Sequence, residues 1–311
     1  MRHTRRRRSP RAPPGRARPP PGPPGSRRRP PPTLPGPRRS APAPGRSLRR
    51  RCGPRTFSFR PGASSPILPD GFLPLVAEPE LTERYRLITH HKRGWSGSTH
   101  TPGPVGVADH VADAIALLDH LGIGRVHVAG HSTGGAVAAQ LAQDHPDRIT
   151  TVALLELSLL SVSAGEAFFA QAAPAFEAYA EGDPERAFEL FVSLAGALDR
   201  ERCRTLLDAR MPGSVAQGVK DADTLFGIEL PALAEWRFGP DDAAAIRQPV
   251  LSVRGSNTQP LWVDVAEFLR SNVPGVEECV VDGVGHLLHI ERSRPVAEAL
   301  ARFLIRHPMT P

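Results

Sequence analysis

From residue 85 onward the chain alternates short apolar runs with longer amphipathic stretches, the rhythm of strands joined by helices. Residues 85–89 form a short β-type run, and residues 93–100 after it are rich in turn formers. Val107, Val111, Ile115, Leu118 and Leu121 recur at three-to-four spacing, which predicts an amphipathic helix over 105–121. Residues 125–129 read as a strand, 132–143 as a helix, and 150–155 as an apolar strand of the kind buried in parallel sheets. Alternation at this pitch predicts an α/β fold: a mostly parallel sheet with right-handed crossovers and helices on both faces.

The alternation stops between residues 158 and 246. That stretch is Ala-rich and helical in pattern, with breaks at Gly182-Asp183-Pro184, Pro212-Gly213 and Gly239-Pro240. It reads as a helical cap inserted into the sheet domain. The sheet resumes with a strand at 249–253, a helix near 262–269, a strand at 278–281 and a last helix over 295–306. The expected organisation is therefore core over 56–157, cap over 158–246 and core again over 247–311.

Residues 1–55 break every one of these patterns. They are mostly Arg, Pro, Gly, Ala and Ser, and too poor in large apolar residues to offset their ordering entropy, so disorder is expected there. Charge changes the picture further. Residues 1–60 hold nineteen arginines and no acid, while the whole chain carries only +7, so residues 61–311 carry −12. The basic character belongs to the first segment, and a nucleic-acid partner is not expected for the folded body. The alternatives for this segment are a nucleic-acid or anionic-lipid arm, or a start placed too early or in the wrong frame. Cys52, Cys203 and Cys279 are too few and too scattered for a disulfide framework or metal site. Reduced thiols and a cytoplasmic location are the expectation. No apolar run approaches a membrane span, so no membrane partner is expected.

The strongest chemical signal is Gly130-His131-Ser132-Thr133-Gly134, placed between a strand and a helix. A nucleophile elbow needs that context, because its Ser occupies a strained turn that tolerates only small residues two positions away. A serine hydroxyl also requires a base. Gly283-Val284-Gly285-His286 follows the last strand and would lie at the same sheet edge as the elbow. His286 is the expected base. His289 lies in an apolar run and is the weaker candidate, and His131 is expected to line the substrate pocket.

With these motifs, residues 66–311 resemble the α/β-hydrolase superfamily, in its esterase-like branch with a helical cap. Arg93-Gly94-Trp95-Ser96-Gly97-Ser98 and Asp144-His145-Pro146-Asp147-Arg148 share in the resemblance. It implies an acyl-enzyme mechanism with Ser132 as nucleophile, His286 as base and then acid, and the Thr133 backbone N–H in the oxyanion hole. It implies no metal or organic cofactor, and a small-molecule acyl substrate.

Two departures from the family pattern stand out. The acid normally follows the strand at 249–253, yet Gly255-Ser256-Asn257-Thr258-Gln259-Pro260 holds no carboxylate. Glu156, at the end of the strand after the elbow strand, is the expected acid, with Asp264 as the alternative. Some relatives, certain haloalkane dehalogenases included, take their acid from that strand end. The second oxyanion donor normally follows an early apolar strand in a His-Gly turn, and no such segment precedes Tyr85. Residues 56–59 are the only β-like run there. Either the first strands are missing or something irregular replaces them. The same triad would serve an ester hydrolase, a cofactor-free perhydrolase or a C–C bond hydrolase, and the departures leave an impaired, pocket-retaining binding protein as a further alternative.

Overall fold

The computed structural model describes residues 55–59, 68 and 70–309. Six strands make one parallel sheet: β1 Arg55–Phe59, β2 Tyr85–Ile88, β3 Val126–His131, β4 Ile149–Leu155, β5 Val250–Gly255 and β6 Glu277–Val281. Their spatial order is β2-β1-β3-β4-β5-β6. Parallel strands need crossovers: Val107–His120 leads from β2 to β3, Thr133–Asp144 from β3 to β4 and Pro260–Asn272 from β5 to β6, while Ser293–Arg306 follows the last strand and packs on the sheet.

Every residue of β3 is buried, which is why it reads as a continuous run and not an alternation. The strand period of two still divides the core. Val126, Val128, Val152 and Leu154 face one cluster, which also holds Val137, Leu141 and Trp262. Ala129, Ala153, Leu155, Leu251 and Val253 face the other, beneath Val296, Leu300 and Phe303 of the last helix.

The inner position between β2 and β3, where the sequence suggested a missing strand, is filled by β1. Its backbone pairs in parallel with both neighbours, Phe57 opposite Leu87 on one side and His127 on the other. Ladder bonds come from main-chain N–H and C=O groups, so a strand poor in Val, Ile and Leu can still complete a sheet. Arg55, assigned from sequence to the disordered segment, opens this strand. The rest of that expectation, on residues 1–54, lies outside the described residues.

Between β4 and β5 the chain is helical, from Gly165–Ala180 through Pro184–Gly196 and Arg200–Arg210 to Pro240–Ala245. One five-residue segment of it, Leu225–Glu229, is a π-helical turn. Cys203 and Cys279 are free thiols. Among the described residues no helix is long and apolar enough to cross a membrane.

Candidate active site

β3 runs straight into the helix Thr133–Asp144, and Ser132 is the residue at the corner. Its backbone is at φ 56°, ψ −126°, a conformation that non-glycine residues seldom adopt. Three backbone bonds hold it there: the Ser132 N–H donates to the Leu155 carbonyl, and the Ser132 carbonyl accepts from Gly135 and Ser158. The corner closes only because position 130 lacks a side chain, since a Cβ on Gly130 would stand 2.2 Å from the Gly134 carbonyl oxygen.

Glu156 sits one residue beyond the end of β4, also with positive φ (44°). Its N–H donates to the Val253 carbonyl, which fixes the strand end against β5. Its carboxylate accepts from the Gly255 N–H at 2.7 Å and from the Thr258 hydroxyl at 2.9 Å. The turn that carries no carboxylate of its own thus supplies donors to this one. A third partner is His286, whose Nδ1 lies 2.7 Å from Oε2. Asp264 is engaged elsewhere, accepting from the Ala164 N–H and the Ser163 hydroxyl.

Burial pushes the Glu156 carboxyl up, to about 8, against the donors that favour its ionised form. Burial drives His286 well below the ordinary histidine value, which keeps its imidazole neutral and able to accept a proton. Trp262 stacks flat on that ring, with centroids 3.6 Å apart and planes at 17°. The stack restricts ring rotation and would stabilise a transient imidazolium. Trp262 also donates from Nε1 to Ser158 Oγ at 3.4 Å, and Ser158 Oγ lies 3.0 Å from Ser132 Oγ. An indole only donates, so Ser158 accepts from Trp262 and has its own proton free for Ser132 Oγ.

Ser132, Thr133 and His286 line one cavity of about 20 Å³, whose far wall is apolar: Phe168, Phe191, Leu230 and Leu233. Thr133 is the first residue of its helix, so its N–H has no acceptor within the helix. Residues 60–67, which follow the β-like run at 56–59, lie outside the described residues.

His131, expected on the pocket wall, stands behind the site instead. β3 alternation turns it to the opposite face of the sheet, where it is fully buried. Its Nε2 lies 2.8 Å from the His286 carbonyl oxygen, so Nε2 carries the proton. The ring packs between His286 and His289, at centroid distances of 4.3 and 4.0 Å. His131 therefore ties the elbow strand to the loop that bears the base. Among the described residues, neither nitrogen of the buried His289 has a hydrogen-bond partner.

Three buried neutral imidazoles have a consequence for stability. Burial depresses His131, His286 and His289 well below 6.5. Below that pH the unfolded chain takes up protons that the folded one refuses, so acidification favours unfolding. His286 and Glu156, joined by a 2.7 Å bond, titrate together, so the effect rests on His131 and His289. The expected loss is on the order of 2–3 kcal/mol per pH unit below ~6.5. Urea unfolding at pH 7, 6 and 5 measures it, and equal free energies at all three would contradict it. His289→Leu should lessen the slope and stabilise the protein by about 1–3 kcal/mol at neutral pH, by removing two unsatisfied ring nitrogens.

A family profile described as alpha/beta hydrolase fold matches residues 69–293. The RutD protein of Caulobacter segnis, named as a carbamate hydrolase, is 41% identical over 71 residues, 22% of this chain and 27% of that protein. The chain thus matches only about a quarter of the length of this curated relative. A thermophilic esterase from Thermogutta terrifontis superposes with a TM-score of 0.66 at 20% identity, covering 82% of this chain and 91% of the esterase. Est816, described as an N-acyl homoserine lactone degrading enzyme, gives a TM-score of 0.60 at 25% identity, covering 81% and 93%.

Proposed function

We propose that this chain, which belongs to the α/β-hydrolase family, is an enzyme that hydrolyses acyl esters through a Ser132–His286–Glu156 triad. The observation that carries this reading is the 2.7 Å bond from His286 Nδ1 to Glu156, made behind a serine held in a strained elbow. Three strand ends, remote in sequence, converge on one apolar cavity.

The steps follow from the geometry. The Glu156 carboxylate accepts a hydrogen bond from His286 Nδ1–H, which keeps the proton on Nδ1 and leaves Nε2 bare as the base. Ser132 Oγ attacks the ester carbonyl as its proton passes to Nε2. The oxyanion that forms is met by the Thr133 N–H. Collapse breaks the bond to the alcohol, which leaves with the proton from Nε2. Water then attacks the acyl-enzyme, its proton passes to Nε2 and on to Ser132 Oγ, and the carboxylic acid departs. A lactone, being an internal ester, follows the same course and releases a hydroxy acid. The likeness to Est816 supports including lactones among the substrates.

A cavity of about 20 Å³ between Ser132 and the wall of Phe168, Phe191, Leu230 and Leu233 accommodates about one or two water-sized groups. Short acyl chains are therefore the proposed substrates. In a series of p-nitrophenyl esters, kcat/KM should be greatest for acetyl or propionyl and fall by roughly fivefold with each methylene that does not fit, since each costs on the order of 1 kcal/mol. A maximum at octanoyl or beyond would reject the short-chain assignment, and no turnover of any ester or lactone would reject esterase function.

A further inference from the structure

The helical insertion between β4 and β5 does more than wall the cavity. Glu229, at the end of the π-helical turn Leu225–Glu229, is buried against the elbow. Its Oε1 accepts from the Thr133 hydroxyl and from the buried ammonium of Lys92, and its Oε2 accepts from the Trp95 indole N–H at 2.7 Å. Lys92 also lies 3.5 Å from the Thr133 hydroxyl and 5.5 Å from the Trp95 ring centre. All of this surrounds Thr133, the residue next to the nucleophile and a lining residue of the same cavity.

We infer that Glu229, with Lys92 as its counter-ion, is a positioning residue for the oxyanion donor: it holds the Thr133 side chain and thereby aims the Thr133 N–H. The inference rests on reading Ser132 as the nucleophile. Stability is a poor reason to keep such a pair, because taking both charges out of water costs about as much as their attraction returns. A π turn inserts an extra residue into a helical turn, at a cost, and such turns recur at functional sites. Here the turn ends on a carboxylate that reaches the elbow at Thr133. The same segment then continues into Leu230 and Leu233, which wall the cavity. Acceptor and wall thus lie on one continuous stretch of chain. Substrate that displaces the wall also disturbs the donor, so a poorly fitting acyl group loses turnover as well as affinity.

Thr133→Val tests this without leaving a buried charge unpaired, because Glu229 keeps Lys92 and Trp95. With the best ester of the series and the full chain, kcat should fall roughly 10- to 100-fold while KM stays within about threefold, the pattern of a misplaced transition-state contact. Thr133→Ser, which restores the hydroxyl, should recover most of the loss. The double variant Lys92→Met/Glu229→Leu removes both charges together and should reproduce the loss in kcat with its circular dichroism and melting transition retained. A wild-type enzyme that is labelled at Ser132 and turns over esters, alongside variants unchanged or altered in KM alone, overturns this inference and leaves the triad standing. A wild-type chain that is neither labelled at Ser132 nor active ends both.

Discussion

Ser132→Ala is expected to abolish covalent labelling by a fluorophosphonate and to reduce ester turnover by up to about 10⁶-fold. The alkoxide equivalent has no substitute at this corner. Ser158 Oγ is only 3.0 Å away, but it accepts the Trp262 indole hydrogen and lies outside the corner between β3 and the helix Thr133–Asp144. The variant should fold normally, because Ala can hold the same corner with the same backbone bonds to Leu155, Gly135 and Ser158. Labelled peptide mapping is the decisive measurement. Label that persists in the variant, at Ser158 or anywhere else, would dismiss Ser132 as the nucleophile.

Glu156→Gln should lower turnover by about 10⁴-fold while the protein stays folded. The amide is nearly isosteric, and its oxygen can still accept from the Gly255 N–H. Its NH₂ would then face His286 Nδ1, which must become an acceptor. The proton moves to Nε2, and the imidazole presents a donor to Ser132 where a base is needed. Asp264→Asn serves as the control, since Asp264 is occupied by Ser163 and Ala164 and should change turnover only a few-fold. If Glu156→Gln keeps full activity, or Asp264→Asn loses it, the acid has been misassigned.

What sequence reveals about this protein divides along physical lines. The elbow, the His286 loop and Glu156 are legible because each is local: a strand end, a turn and a chemically apt residue in one short stretch. The carboxylate-free turn at 255–260 points to Glu156 by default, and the structure adds that Gly255 and Thr258 donate to it. β1 was harder to read, because composition reports side chains and the ladder is made by backbone. A motif gives neighbours in sequence and not the strand alternation that turns His131 from the expected pocket wall to a place behind the His286 loop. Trp262, Ser158 and Glu229 left no signal of their own. Each acts on a partner 24 or more residues away, as Glu229 does on Thr133 across 96 positions.

The threading of the sheet also bears on how the site comes into being during folding. β3 and β4 are consecutive strands joined by one crossover helix, so the nucleophile and its acid can be set in place by comparatively local steps. His286 meets Glu156 across 130 positions, and only after the helical insertion has been closed out and β5 and β6 have added to the edge. Loop closure on that scale is slow and precedes any reward in contacts. Refolding should therefore regain secondary structure well before it regains chemistry, with a collapsed, inactive species in between. Until the final docking, the exposed edge of β4 is an invitation to pair with another chain, so catalytic yield on refolding should fall as protein concentration rises.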